Sequence, residues 1–201
     1  EDVTIQNCEF TGQYYNAFYG YYMDRLKFHD NYLEKSSPVY TYSYYLMYLY
    51  YNEDFSVERN VYFSDDDAYY RYLVYTYQAQ GSENRFVNNF IMLTHNQPST
   101  YGIGLYAYYG NNLLVAHNTF YMNSTNINTR SIMQYYGSNQ QYYNNIFYSA
   151  GPSMTNWIYT PTAVVASDYN LYYGTANILG VWGTSAAQAY NNLAGLQAAS
   201  G

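Results

Sequence analysis

The residues best equipped for chemistry in this sequence are carboxylates. Asp65, Asp66 and Asp67 stand in a row, and Glu53 and Asp54 precede them. Several converging hard oxygens of this sort hold Ca²⁺. The basic residues nearest to them by position in the repeat are Lys27, Arg59, Arg71 and Arg85. A base beside a cation can take a proton and stabilise the enolate that develops. Neighbouring residues of a strand point to opposite faces, so three adjacent aspartates share one ion only on a loop. Ser64 before them, and strand-like sequence on both sides, predict such a loop. The competing expectation is a solvated acidic turn. Asp65, Asp66 and Asp67 are therefore the candidate calcium or acidic site, with Ca²⁺ as the one candidate cofactor and no catalytic residue assigned.

A second set is Lys27, His29, Glu58 and Arg85, which fall in two outward columns of the same repeat. They form either a polar contact patch or a ladder of compensating charges that contributes little energy. His95 and His117 lack companions at metal-ligand spacing. The single Cys8 excludes an internal disulfide and reads as a small buried hydrophobe. The formal charge is −7 with only seven basic residues, scattered along the chain. That excludes nucleic acid as a partner, since phosphate neutralisation needs clustered Lys and Arg. No apolar run is long enough for membrane insertion. The opening Glu1-Asp2-Val3-Thr4-Ile5 already reads as strand, which suggests an excerpt of a longer protein or a mature chain.

These residues are positioned by a repeat. Alternating apolar residues, one or two Asn, and an apolar residue two places on recur along the chain. Examples are Leu26-Lys27-Phe28-His29-Asp30-Asn31-Tyr32-Leu33 and Leu113-Leu114-Val115-Ala116-His117-Asn118-Thr119-Phe120. Asn31, Asn60, Asn89 and Asn118 are spaced by 29, with flanking steps of 23 from Cys8 and 27 to Asn145. Leu26, Phe55 and Leu113 share one inward column, and Phe28, Val57, Phe86, Val115 and Tyr142 another. Leu33, Tyr62, Ile91, Phe120 and Phe147 return to the interior after the corner. Asn suits that corner because it tolerates left-handed backbone and can hydrogen-bond from coil to coil. A further strand precedes each phrase, for example Tyr44 to Tyr50 and Gly102 to Tyr108. One coil cannot bury its apolar face alone, so stacking supplies the core.

With the corners Asn88-Asn89-Phe90-Ile91 and Asn144-Asn145-Ile146-Phe147 in place, the chain resembles the right-handed parallel β-helix family, the pectate-lyase-like fold. Ser167-Asp168-Tyr169-Asn170-Leu171, Trp182 and the end Leu193 to Gly201 are similar to segments of large secreted bacterial surface proteins. The resemblance implies an all-β solenoid of about six to seven coils over residues 1–174. It is followed over 175–201 by a terminal strand and a short helical or irregular segment. Ser185 is expected to cap that helix, with Ala189, Leu193 and Leu196 on one face.

The resemblance also implies a secreted or cell-surface module, structural or adhesive. Its partners would be a polysaccharide or cell-surface glycan, and flanking domains or a secretion-system component. In that light Lys27, His29, Glu58 and Arg85 become a candidate glycan-contact patch. The alternative is a carbohydrate-active enzyme on the same scaffold, with the aspartates as calcium ligands of a lyase. The Gly-His-Gly motif expected of a hydrolase of this fold does not occur. The 34 tyrosines depart from the family, standing where Val, Ile, Ser or Thr would be expected. They suggest an aromatic surface for glycan stacking or adhesion.

Overall fold

The computed structural model describes residues 2–36, 43–66, 68–95 and 101–200. The described chain winds into coils of three short strands, and the coils stack into three parallel sheets. The first sheet contains Val3–Gln6, Leu26–His29, Ser56–Glu58, Asn84–Val87, Leu113–Ala116, Gln140–Tyr143 and Val164–Asp168. The second follows the Asn corner, with Glu9–Phe10, Tyr32–Lys35, Val61–Ser64, Phe90–His95, Thr119–Ser124, Ile146–Ala150 and Leu171–Gly174. The third contains Asn16–Tyr21, Ser43–Tyr50, Tyr70–Ala79, Tyr101–Asn111, Arg130–Ser138, Met154–Ile158 and Gly180–Trp182. Gly180–Trp182 continues that sheet past Gly174, and Ala189–Tyr190 then pairs with it antiparallel.

The interior is the set of columns read from the sequence. Leu26, Phe28, Phe55, Val57, Phe86, Leu113, Val115 and Tyr142 are buried, as are Leu33, Tyr62, Ile91, Phe120 and Phe147. Phe120 stacks on Phe147 at 5.3 Å, and Phe147 on Tyr172 at 5.0 Å. Side chains of one column therefore meet their own kind in the next coil, which is how a solenoid extends its core.

The corner between the first and second sheets is held by an asparagine ladder. The Nδ2 of Asn31 donates to Oδ1 of Asn60, and the pattern continues through Asn89, Asn118, Asn145 and Asn170 at 2.9–3.1 Å. Each Oδ1 also accepts the backbone N–H of the preceding ladder residue, as from Asn60 to Asn89 at 3.0 Å. Each Nδ2 gives its second proton to a backbone carbonyl, as from Asn89 to Val57 at 2.9 Å. Two donors and two acceptor sites of the amide are thus all used, so the side chain can be buried without loss.

Three expectations are corrected. The left-handed backbone falls on the residue before each ladder Asn: Asp30, Arg59, Asn88, His117, Asn144 and Tyr169 have φ of 53–59°. The ladder Asn is therefore chosen for its amide, not for its backbone freedom. Cys8 occupies the ladder column of the first described coil but is exposed, its N–H bonding Asn31 Oδ1 at 3.0 Å. The helix is shorter than expected and spans Leu193–Ser200. Ser185 instead starts a 3₁₀ turn over Ala186–Gln188, with its N–H donating to Gln188 Oε1, and Ala189 belongs to the antiparallel strand. Leu196 from the helix is buried and joins the core beside Trp182. No helix among the described residues is long and apolar enough to cross a membrane.

Candidate functional site: the tyrosine face of the third sheet

Strand alternation sends every second residue of the third sheet outward. In Ser43–Tyr50 two consecutive inward residues, Leu46 and Met47, interrupt that alternation. Leu73 and Val74 do the same one coil on. Tyr45 and Tyr48 therefore both remain outside, their rings 4.9 Å apart.

In-register pairing then builds columns of identical side chains. Tyr21 stacks on Tyr50 at 5.4 Å, Tyr50 on Tyr77 at 4.8 Å, Tyr77 on Tyr108 at 5.2 Å and Tyr108 on Tyr135 at 5.5 Å. Tyr135 meets Tyr159 at 3.9 Å. The three middle contacts lie within 8° of parallel. A second column runs Tyr19, Tyr48, Tyr75 and Tyr106 at 5.2, 4.8 and 4.8 Å. Register continues it onto Met133 and Trp157. A third contributor is the bend at the C-terminal end of these strands, where Tyr22, Tyr51, Tyr109 and Tyr136 take positive φ. Left-handed backbone costs a residue with a Cβ about 1–2 kcal/mol, and ring contacts such as Tyr22 on Tyr51 at 5.0 Å help offset it.

The Tyr21–Tyr159 and Tyr19–Trp157 columns hold only Tyr, Met and Trp, while the column beside them runs Tyr45, Tyr72, Ile103, Arg130 and Met154, with the Arg130 guanidinium 4.8 Å over the Trp157 ring. Burial among neighbouring phenols pushes the Tyr48 and Tyr75 hydroxyls well above the usual range, so they stay protonated donors. Each interior ring is covered on both faces by its neighbours. What the surface offers is therefore ring edges and a row of hydroxyls repeating at the coil rise, about 4.8 Å. The expected flat stacking of sugars on these rings is thus not available along the column. The second sheet carries a smaller version, Tyr121 on Tyr148 at 5.0 Å and Tyr148 on Tyr173 at 4.8 Å.

The sequence-selected residues lie elsewhere. Lys27, His29, Glu58 and Arg85 all belong to the first sheet, with His29 opposite Glu58 and both Lys27 and Arg85 opposite Ser56. Arg85 Nε is 3.2 Å from Glu58 and Arg59 Nε is 2.8 Å from Asp30, which His29 also contacts at 2.8 Å. Arg59 and His29 hold the Asp30 carboxyl well below the usual carboxylate range. Lys27 and Arg85 also line a groove of about 370 Å³ with Asp2, Arg25, Asp54 and Glu83. The sequence brought these groups to one face, and the structure shows opposite charges side by side there.

Two of the three aspartates lie in the described residues. Asp65 is exposed and Asp66 buried, while Asp67 lies outside the described residues. Asp66 Oδ1 accepts the Ala68 N–H at 3.2 Å, its main-chain oxygen accepts from Arg71 Nη1 at 2.5 Å, and burial raises its pKa. Asp54 instead clamps a turn, accepting the N–H groups of Ser82 and Glu83 at 2.6 and 2.8 Å. Gly81 in that turn has φ +82°, and a Cβ there would strike the Asp54 carboxylate. Among the described residues no three acidic, His or Cys side chains group in a way that could hold a metal. His95 is buried with Ser124 Oγ at 2.5 Å, and His117 is a corner residue.

Two features escaped the sequence reading. Lys35 and Arg71 are fully buried where the second and third sheets meet, Lys35 Nζ donating to the Gln13 carbonyl at 2.6 Å. Asn52 and Asn84 brace the opposite corner through backbone bonds to Met23 and Phe55. Their signal was Asn again, at positions outside the main column. Compared with known proteins, the chain matches no family profile, no curated protein and no solved structure.

Proposed function

We propose that this chain is a binding module rather than an enzyme, a structural or adhesive stretch of an extracellular bacterial surface protein that holds a neutral, extended glycan. The observation that carries the reading is the tyrosine face of the third sheet, whose two long ring columns contain no charged residue. Its hydroxyls form regular rows that can hydrogen-bond successive sugar hydroxyls, while ring edges exclude water from the contact. A polymer lying along the solenoid axis would meet one hydroxyl of each column per coil. The extracellular setting rests on the likeness of the corners and the C-terminal segment to secreted surface proteins. The enzymatic alternative loses support because Asp65 and Asp66 face different environments.

The test is affinity electrophoresis against neutral glucans, mannans and xylans and against uronic-acid polymers, with and without calcium. The expected result is retardation by a neutral polymer, unaffected by calcium. A variant carrying Tyr77→Phe, Tyr106→Phe and Tyr108→Phe keeps the stacked rings and loses the hydroxyls, and it should lose at least tenfold in affinity. Calcium-dependent cleavage of a uronic-acid polymer, or full retention of binding by that variant, would overturn the proposal.

A further inference from the structure

We infer that the tyrosine column of the third sheet is a site of oxidative phenol coupling, with Tyr135 and Tyr159 as the pair that becomes covalently linked. The inference stands on the ring geometry and is independent of any glycan. Tyr50, Tyr77, Tyr108, Tyr135 and Tyr159 form an unbroken series of ring contacts. Side contacts join Tyr51, Tyr109 and Tyr136 to it at 4.6–5.0 Å. An electron vacancy created on any of these half-buried rings has a neighbouring phenol to move to at van der Waals distance.

The series is not uniform. Tyr135 and Tyr159 approach to 3.9 Å, closer than any other ring pair in the column, with their planes 26° apart. Rings this close and this near to parallel put carbons of one phenol at contact distance from carbons of the other. By contrast Tyr169 is 76% exposed and Tyr14 68% exposed, and both are more open to a soluble oxidant. If accessibility alone governed the outcome, they would react first.

The chemistry needs a one-electron oxidant, such as a haem peroxidase with hydrogen peroxide. Each of the two phenols gives up one electron to the oxidant and its hydroxyl proton to solvent, leaving two phenoxyl radicals. A carbon–carbon bond forms between the ring carbons adjacent to the two oxygens. The hydrogen on each of those carbons then moves to oxygen, restoring two phenols. The net loss is two electrons and two protons, which convert one hydrogen peroxide into two waters. For a surface protein such a bond would lock adjacent coils together, at a position where the Tyr159 N–H already donates to the Gln134 carbonyl at 2.9 Å.

The experiment treats the dilute folded chain with horseradish peroxidase and a limiting amount of hydrogen peroxide, isolates the monomer, and maps cross-linked peptides by mass spectrometry. Expected is a peptide pair joining the segments that contain Tyr135 and Tyr159, lighter by two hydrogens, with the blue fluorescence of a biphenol. Tyr135→Phe and Tyr159→Phe, which keep the ring stack, should each abolish that pair, and Tyr136→Phe should leave it. Oxidation in urea should also abolish it. Absence of the pair from the folded wild-type monomer would overturn the inference, as would its persistence in Tyr159→Phe or coupling concentrated at Tyr14 and Tyr169. Glycan binding is read separately by electrophoresis of the unoxidised protein, so failure of one reading leaves the other intact.

Discussion

Two ladders run the length of this molecule, one of asparagine inside a corner and one of tyrosine outside the third sheet. Both place identical side chains above each other at the coil rise. They differ in what is left over. The interior amides of the asparagine ladder, Asn60, Asn89, Asn118 and Asn145, spend their two donors and two acceptor sites within the ladder and on adjacent backbone. Nothing remains for a ligand, so this ladder serves the fold. The tyrosine rings spend their faces on one another and keep edges and hydroxyls for the outside. Repetition of one residue therefore marks structure or surface according to whether its hydrogen-bonding capacity is exhausted.

The sharpest way to break this contrast is Asn89→Ala. It leaves the buried N–H of Asn60 and the carbonyl of Val57 without the amide and interrupts the side-chain bond to Asn118. The expected loss is about 3 kcal/mol, seen as a midpoint lower by roughly 10 °C in thermal unfolding. A loss no larger than that of an exposed Asn would show that the ladder is not what holds the corner. Tyr77→Ala should cost less, about 1–2 kcal/mol for two stacked contacts, while Tyr77→Phe should be close to neutral. Chemical denaturation of both variants separates ring stacking from the hydroxyl. Tyr62→Phe removes a buried hydroxyl whose partner is the weak acceptor Met47 Sδ at 3.4 Å. It should change stability by less than about 1 kcal/mol, and a large loss would reveal a stronger partner for that hydroxyl.

The smallest effect belongs to the charged face. Asp30 has a folded-state pKa below its unfolded value, because Arg59 and His29 favour the carboxylate. Its contribution is present at neutral pH and is lost as pH falls below the ordinary carboxylate range toward the folded value. Asp30→Asn should therefore flatten the acid limb of the stability curve slightly and leave the rest unchanged. An unaltered acid limb would show that the pair contributes nothing measurable, as exposed ion pairs often do.

The interior columns were legible from the sequence because inward positions repeat at a fixed distance from Asn. Val57, Phe86 and Val115 could be read by counting back three. The tyrosine columns were not legible, for two physical reasons. The double inward step at Leu46-Met47 and Leu73-Val74 breaks the two-residue period. The connections between the second and third sheets also differ in length, so Tyr50, Tyr77, Tyr108 and Tyr135 align in space at unequal sequence intervals. Without the pairing register they looked scattered. Buried Lys35 and Arg71 were illegible for another reason, since charged residues are expected outside and only their local partners permit burial.

The most direct test of the account measures unfolding and glycan retardation together on one protein, the variant with Tyr77→Phe, Tyr106→Phe and Tyr108→Phe. The account predicts an unfolding midpoint close to wild type and binding reduced at least tenfold, because the rings still stack and the hydroxyl rows are gone. An unstable variant, or a stable one that binds neutral glycan as well as wild type, would contradict the claim that the outer ladder is surface and not scaffold.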